Sequence, residues 1–257
     1  MPLACLDGTV IDAAEARIPV TDEGLLRGDG VFEVMRLYGG RPFAAEEHFA
    51  RMEGSAERLR LPLDIAAVRA DVEALLAAAQ PGDAHLRILV TRGGRRVLLI
   101  EEAPHRPPSI GLAIVEFAPP RILDGVKSLS YAANMLATRI AKERGFDEAL
   151  LVTPHGRVLE APTSSLFYVL DGGLYTPPLD DHILDSITRR NVVELTGAQE
   201  RVTARDDVRR MTEAFLASTT REVQPVHAIE DHELERAGAI TRDAAARLRE
   251  RIAESLA

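Results

Sequence analysis

Of the 31 basic residues in this chain only two are lysines, Lys127 and Lys142; the rest are arginines. A GC-rich genome explains the trend but not which two positions stayed lysine. A guanidinium keeps its proton inside a protein, whereas an amine can be tuned toward a neutral nucleophile. Covalent capture of a carbonyl as a Schiff base therefore requires lysine. Lys142 sits in TRIAKERGFDE, among charged neighbours near a helix end, and reads as solvated. Lys127 sits in ILDGVKSLSYAANML, between an apolar approach and an apolar helix. It is the candidate nucleophile.

Other residues suit a phosphorylated ring held by such an amine. A pyridoxal site needs an amine, a carboxylate facing the pyridine nitrogen and a cup for phosphate. Glu160 closes the apolar run HGRVLEA, where a carboxylate can keep a ring nitrogen protonated, although a solvated glutamate at a strand end accounts for it equally well. Ser186-Ile187-Thr188 and Ser218-Thr219-Thr220 read as two helix starts, whose free N–H groups and dipole favour phosphate; ordinary N-capping is the plainer alternative. Arg51 lies on the flank of a helix, where Glu47 four residues earlier offers an i,i+4 pair. Competing chemistries lack their motifs. There is no G-x-x-x-x-G-K-[ST], and Gly24, Gly28 and Gly30 have the wrong spacing for G-x-G-x-x-G. G-x-S-x-G and H-E-x-x-H are absent, and the scattered histidines and single Cys5 predict no metal site.

Composition bounds the partners. A net charge of −9 disfavours general nucleic-acid binding, because phosphate neutralisation needs a basic face. No apolar run reaches the roughly 18 residues of a membrane span, the N-terminus lacks a signal-peptide pattern, and one cysteine forms no internal disulfide, so the expectation is a cytoplasmic protein.

The elements that must position these residues follow from periodicity. CLDGTVI predicts a hairpin at its Asp-Gly turn, and GVFEVMRLYGGRPFA a second at Gly39-Gly40. A helix is predicted from Ala44 to Leu59 with Phe49, Met52, Ala56 and Leu59 on one face, and another from Asp64 to the Pro81-Gly82 stop. HLRILVT, RRVLLIE and IGLAIVEFA read as strands, Tyr131–Arg144 as a helix, and ALLVTP, HGRVLEA, SSLFYVL and LYTPP as a four-strand meander. SITRRNVVELTGA is predicted helical, EAFLAST a strand, and the C-terminal segment a helix. APPRILDG reads as a boundary. The chain is expected to be α/β (α+β) with two lobes: 1–117 a small N-terminal lobe, 118–125 an interdomain loop and 126–257 a larger cofactor-binding lobe.

In their order along the chain, RGDGVFEVMRLYGG, EEHFARMEGSAERL, VKSLSYAANMLA, GFDEALLVTPHGRVLEAPTSSLFYV, ILDSITRRNVVEL and FLASTTREVQPV resemble the class IV (fold-type IV) aminotransferases. That family includes branched-chain aminotransferases, D-amino-acid transaminases and 4-amino-4-deoxychorismate lyases. The resemblance implies pyridoxal 5′-phosphate as cofactor, amino acids and 2-oxo acids as substrates, and a homodimer. It puts the Schiff-base lysine at Lys127, which would also shuttle the proton at the substrate α-carbon. Phosphate contacts fall at Arg51, Ile187, Thr188 and Thr219, the ring-nitrogen carboxylate at Glu160, a supporting aliphatic residue at Leu184, and Tyr131 near the cofactor's 3′-oxygen. Ser164-Ser165-Leu166-Phe167 replaces the family's Ser-Asn-x-Phe, and Ser186 replaces the glycine of its Gly-Ile-Thr-Arg.

The subgroup turns on the strand VFEVMRL, whose alternation puts Phe32, Val34 and Arg36 on one face. Lyases resemble this chain but carry threonine at the Val34 position, branched-chain enzymes glycine, and D-amino-acid transaminases valine. The D-enzyme carboxylate trap Arg-x-His would fall at Val97-Leu98-Leu99 and is missing. Arg87, aligned with the carboxylate-binding arginine of branched-chain enzymes, and Arg27 in LLRGDG would replace it, Arg27 across a dimer; Arg92, Arg95 and Arg96 come next. The expectation is a D-amino-acid transaminase acting on D-alanine or D-glutamate. The lyase and the branched-chain L-enzyme are the alternatives within the family, and a non-catalytic phosphate-ligand-binding protein the alternative outside it.

Overall fold

The computed structural model describes residues 2–257 and divides into two compact units. The first contains the chain up to Pro104 together with Gly125–Tyr131; the second contains His105–Asp124 and Ala132–Ser255.

The first unit is a six-stranded antiparallel sheet with two helices on one face. Its elements are β1 (Leu3–Leu6), β2 (Thr9–Asp12), α1 (Glu23–Arg27), β3 (Gly30–Tyr38), β4 (Arg41–Pro42), α2 (Ala45–Arg58), α3 (Ile65–Ala79), β5 (Ala84–Thr91) and β6 (Arg96–Glu102), and the strand order is β2-β1-β6-β5-β3-β4. The expected hairpins at Asp7-Gly8 and Gly39-Gly40 are present. Alternation sorts the side chains. Val31, Met35 and Leu37 of β3 and Leu86, Ile88 and Val90 of β5 pack against Phe49, Met52 and Ala56 of α2 and Val68, Val72 and Leu75 of α3. The opposite face of β3 carries Phe32, Val34 and Arg36, opposite Leu89, Arg87 and His85 of β5. Asp64 caps α3 as its position predicts, accepting from the Ala67 N–H at 3.0 Å.

The Lys127 segment belongs to this sheet, which corrects the assignment of everything after residue 125 to the C-terminal lobe. β4 is only two residues long and pairs with Leu37 and Tyr38, leaving the start of β3 uncovered on that side. Lys127–Leu129 fills the gap: the Phe32 N–H donates to the Lys127 carbonyl at 3.1 Å, the Leu129 N–H donates to the Gly30 carbonyl at 2.9 Å, and Val31 bridges Ser128. A side chain at Gly30 is excluded, since a Cβ there would lie 2.5 Å from the Val90 carbonyl oxygen of β5 and 2.5 Å from Leu129 Cδ1.

The second unit holds a larger mixed sheet built from β7 (Ile110–Glu116), β8 (Glu148–Val152), β9 (Ser165–Leu170), β10 (Gly173–Thr176), β11 (Gln199–Glu200), β12 (Glu213–Ser218) and β13 (Glu222–Ile229), in the order β11-β10-β9-β12-β13-β7-β8, with β14 (His232–Glu233) paired to β13. Helices α4 (Ala132–Glu143), α5 (Ile187–Thr196) and α6 (Ala239–Ser255) complete it. Two expectations fail here. IGLAIVEFA, placed in the first lobe, forms β7 and pairs in parallel with both β8 and β13. The four-strand meander reduces to the β9–β10 hairpin, because β8 stands at the far edge of the sheet and 157–161 makes only isolated bridges. A parallel partner distant in sequence, as β13 is for β7, leaves no local signal. Among the described residues no helix is long and apolar enough to cross a membrane.

Candidate active site

Each unit presents its own group of polar residues. In the first, the Lys127 backbone is fixed on both sides: its carbonyl accepts from Phe32, and its N–H donates to Ser55 Oγ of α2 at 3.1 Å. The amine Nζ consequently lies 4.3 Å from the centroid of the Phe32 ring and 6.0 Å from that of Tyr131. Those two rings meet edge to face at 5.3 Å. The face of β3 that carries Phe32 and Val34 is therefore the face turned to the Lys127 amine.

Behind it stands a buried charge cluster that alternation alone did not reveal. Glu33 is fully buried on the helix-facing side of β3 and accepts from both ends of Arg51, Nε at 2.7 Å and Nη2 at 2.6 Å. His48 Nδ1 bonds the same carboxylate at 2.7 Å. Arg51 grips this desolvated carboxylate ahead of its helix, which attracts a guanidinium more strongly than a solvated one such as Glu47 alongside. Burial would push the Glu33 carboxyl up, but the Arg51 guanidinium and the His48 hydrogen bond hold it at about 2. Burial pushes the His48 ring down, against the pull of Glu33. The ring is thus neutral and donates through Nδ1, and the cluster as a whole carries no net charge. The signal for Glu33 was an acidic residue on the apolar phase of VFEVM.

Arg87 extends from the Val34 face and is gripped by Glu101 of β6, Nε at 2.7 Å and Nη2 at 2.9 Å. Of the five N–H groups of a guanidinium this leaves three to donate elsewhere. Arg27 sits exposed at the end of α1 and pairs with Glu23. The fallback candidates are each engaged: Arg92 with Asp29 and the Leu59 and Arg60 carbonyls, Arg95 with Asp7, and Arg96 with Asp71.

In the second unit, Glu160 is held from two directions. Ser165 Oγ donates to its Oε2 at 3.3 Å and the Leu184 N–H to its Oε1 at 3.1 Å. Ser165 is thus a positioning residue for Glu160 where the sequence suggested only a departure from a motif. Its neighbour Ser164 has a buried hydroxyl with no hydrogen-bond partner among the described residues. Ile187 and Thr188 open α5; Ser186 caps the helix by accepting from the Arg189 N–H at 3.3 Å. The Ile187 and Thr188 N–H groups have no carbonyl to reach within the helix. The expected second helix start at Ser218-Thr219-Thr220 is instead the turn joining β12 to β13. Arg106 braces that turn by donating to the Thr220 carbonyl at 3.1 Å.

Each group fits part of a phosphorylated pyridine aldehyde: in the first unit an amine for the carbonyl and a guanidinium for phosphate, in the second an anchored carboxylate for a ring nitrogen and a helix N-terminus for phosphate. The orphaned Ser164 hydroxyl is a further buried donor awaiting an acceptor. No group of His, Cys, Asp or Glu suited to a metal ion occurs among the described residues.

Comparison with known proteins agrees with this inventory. The family model described as amino-transferase class IV matches residues 30–229. A relative from Methanocaldococcus jannaschii, named "Putative branched-chain-amino-acid aminotransferase", is 33% identical over 88% of this chain and 87% of its own length. A D-alanine aminotransferase of Bacillus licheniformis is 28% identical over 87% of each. Among solved structures, the fold IV transaminase CpuTA1 from Curtobacterium pusillum superposes with a TM-score of 0.86 at 28% identity, covering 96% of this chain and 99% of that one.

Proposed function

Because the chain belongs to the class IV aminotransferase family, whose cofactor is pyridoxal 5′-phosphate, we propose that it transfers the amino group of a D-amino acid, D-alanine or D-glutamate, to a 2-oxo acid. Lys127 carries the cofactor, and its Nζ takes the proton from the substrate α-carbon and returns it. When bound, the cofactor supplies the electron sink that makes this carbon acidic. Glu160, oriented by Ser165 and the Leu184 N–H, holds a proton on the ring nitrogen. Arg51, Ile187, Thr188 and Thr219 receive the phosphate, Tyr131 the 3′-oxygen, and Leu184 supports the ring.

The single observation that carries the substrate reading is Val34. It is the next residue along the strand face from Phe32, the ring beneath the amine, and it stands directly opposite Arg87. A branched side chain there narrows the space at the α-carbon where glycine would leave it open, and it brings no hydroxyl to the reacting centre where threonine of the same shape would, so it favours one placement of the substituents. Arg87 offers its remaining donors to the α-carboxylate through charge-assisted hydrogen bonds. Arg27 is proposed as a second guanidinium, contributed from the other copy of a homodimer. The name of the M. jannaschii relative favours a branched-chain L-enzyme as the second reading.

A panel of D- and L-amino acids mixed with the holoenzyme, followed by the change in visible absorbance, separates the two. D-alanine or D-glutamate is expected to react faster than its L-form, with little pyruvate released from aminodeoxychorismate. Faster reaction of L-branched substrates than of every D-amino acid would sink the D-specific reading and leave the family intact.

A further inference from the structure

Arg36 lies on the same face of β3 as Phe32 and Val34, two residues beyond Val34 and opposite His85. Its Nη1 donates to His85 Nε2 at 3.1 Å, and its guanidinium carbon lies 5.4 Å from the centroid of the Tyr38 ring. An arginine has only donors, so the buried His85 ring accepts at Nε2 and keeps its proton on Nδ1. The guanidinium is therefore fixed by a neutral partner and an aromatic face. Among the described residues no carboxylate pairs with Arg36, whereas Arg51, Arg87, Arg92, Arg95 and Arg96 in the same unit each grip one. Its Nε is buried and has no acceptor. A shielded, charged donor without an acceptor is costly in the absence of a ligand that brings one.

The position of this cation says what ligand that is. The amine of Lys127 marks the start of the strand face at Phe32, and Arg36 is four residues further on, about 13 Å along the backbone. Its guanidinium lies beside His85 and the Tyr38 ring, at the far end of that face. Arg87, opposite Val34, lies between them on the neighbouring strand. One strand face thus carries the amine, then one guanidinium, then a second.

We propose that Arg36, held by His85, is a specificity-determining residue that receives the distal carboxylate of a dicarboxylic substrate, a four- or five-carbon amino diacid or its 2-oxo counterpart. Arg87 takes the carboxylate at the reacting carbon. The assignment rests on the aminotransferase reading and narrows it to acidic substrates. It needs no movement of the ion pairs already formed, because the acceptor completes Arg36 instead of competing with a protein carboxylate.

The test uses two unreactive acids, glutarate and butyrate, titrated into the holoenzyme and followed by the perturbation of its visible spectrum. The parent protein is expected to bind glutarate more tightly than butyrate. In Arg36→Met the glutarate-to-butyrate affinity ratio should fall roughly tenfold to a hundredfold, the usual effect of losing one charge-assisted contact. Arg36→Lys, which keeps a point charge but not the fork, should give an intermediate ratio and covers the case in which the methionine variant does not fold. No preference for glutarate in the parent, an unchanged ratio in the variants, or equal weakening of both acids overturns the assignment. If glutarate is preferred through Arg36 but no D- or L-amino acid undergoes the half-reaction, the aminotransferase reading fails and the dicarboxylate site stands.

Discussion

Lys127 is distinguished less by its side chain than by its backbone. An amine on a loop would sample many positions; this one hangs from a residue whose N–H and carbonyl are both committed, to Ser55 and Phe32. That fixation is what a nucleophile and proton carrier needs, since small misplacements of a reacting atom are expensive. Replacing it with alanine is expected to abolish the visible absorbance of the holoenzyme and nearly all turnover, while Lys142→Ala changes little. A coloured, active Lys127→Ala protein would remove the foundation of the functional reading. The two lysines could be told apart in the sequence because one lay in an apolar setting and the other among charges. The partners of the site residues were not legible in the same way. Ser165 and Glu160 are close in sequence, yet their contact depends on a tight bridge at Ala161 and Ser164 that no propensity announces.

At the scale of elements, the alternation in β3 did most of the sorting, and the one residue that violates it explains the region behind. Glu33 projects into the helix-packed core and survives there only because Arg51 and His48 satisfy it. The acid dependence follows from the shifts. An unfolded glutamate takes its proton near pH 4.3, while Glu33 holds off until about 2, so its contribution to stability is full above about pH 5 and is lost as pH falls toward 2. His48 acts in the same sense from higher pH: its folded value lies below 6.5, so the unfolded chain gains a proton first and stability begins to fall as pH drops through that value. Urea denaturation at pH 7, 5.5 and 4 is expected to show progressive loss. Glu33→Gln should destabilise the protein at pH 7 by about 3–5 kcal/mol, by leaving Arg51 without its counter-charge, and should flatten the profile below pH 4.5. A variant as stable as the parent at pH 7 would mean the cluster is not coupled to folding. The helices and hairpins of this unit were readable because caps, turn residues and apolar period all agreed. The Arg51 partner was not, because Glu47 and Glu33 are indistinguishable until the helix is docked on the sheet.

At the scale of the whole molecule, the chain crosses between its two units more than once: it leaves the first at Pro104, returns at Gly125–Tyr131, and leaves again. Sequence composition marked a boundary near the right place but could not show a return of seven residues, whose only trace is a pair of small residues, Gly28 and Gly30, that permit close approach. The returning segment completes the edge of the first sheet, and this has a consequence for biosynthesis. A ribosome delivers the first 104 residues well before the seven that close the sheet, so the emerging chain carries a strand start at Gly30–Phe32 with open N–H and C=O groups. Such an edge is a template for pairing with another chain. Leu129→Pro, which removes the N–H given to the Gly30 carbonyl, is expected to lower soluble yield and to speed amide hydrogen exchange at Phe32. Unaltered exchange there would mean the edge is protected by other contacts. The residue proposed to carry the chemistry and the strand that keeps nascent chains apart are then one short stretch of sequence, so substitutions around Lys127 would be filtered by translation before they were ever tested by catalysis.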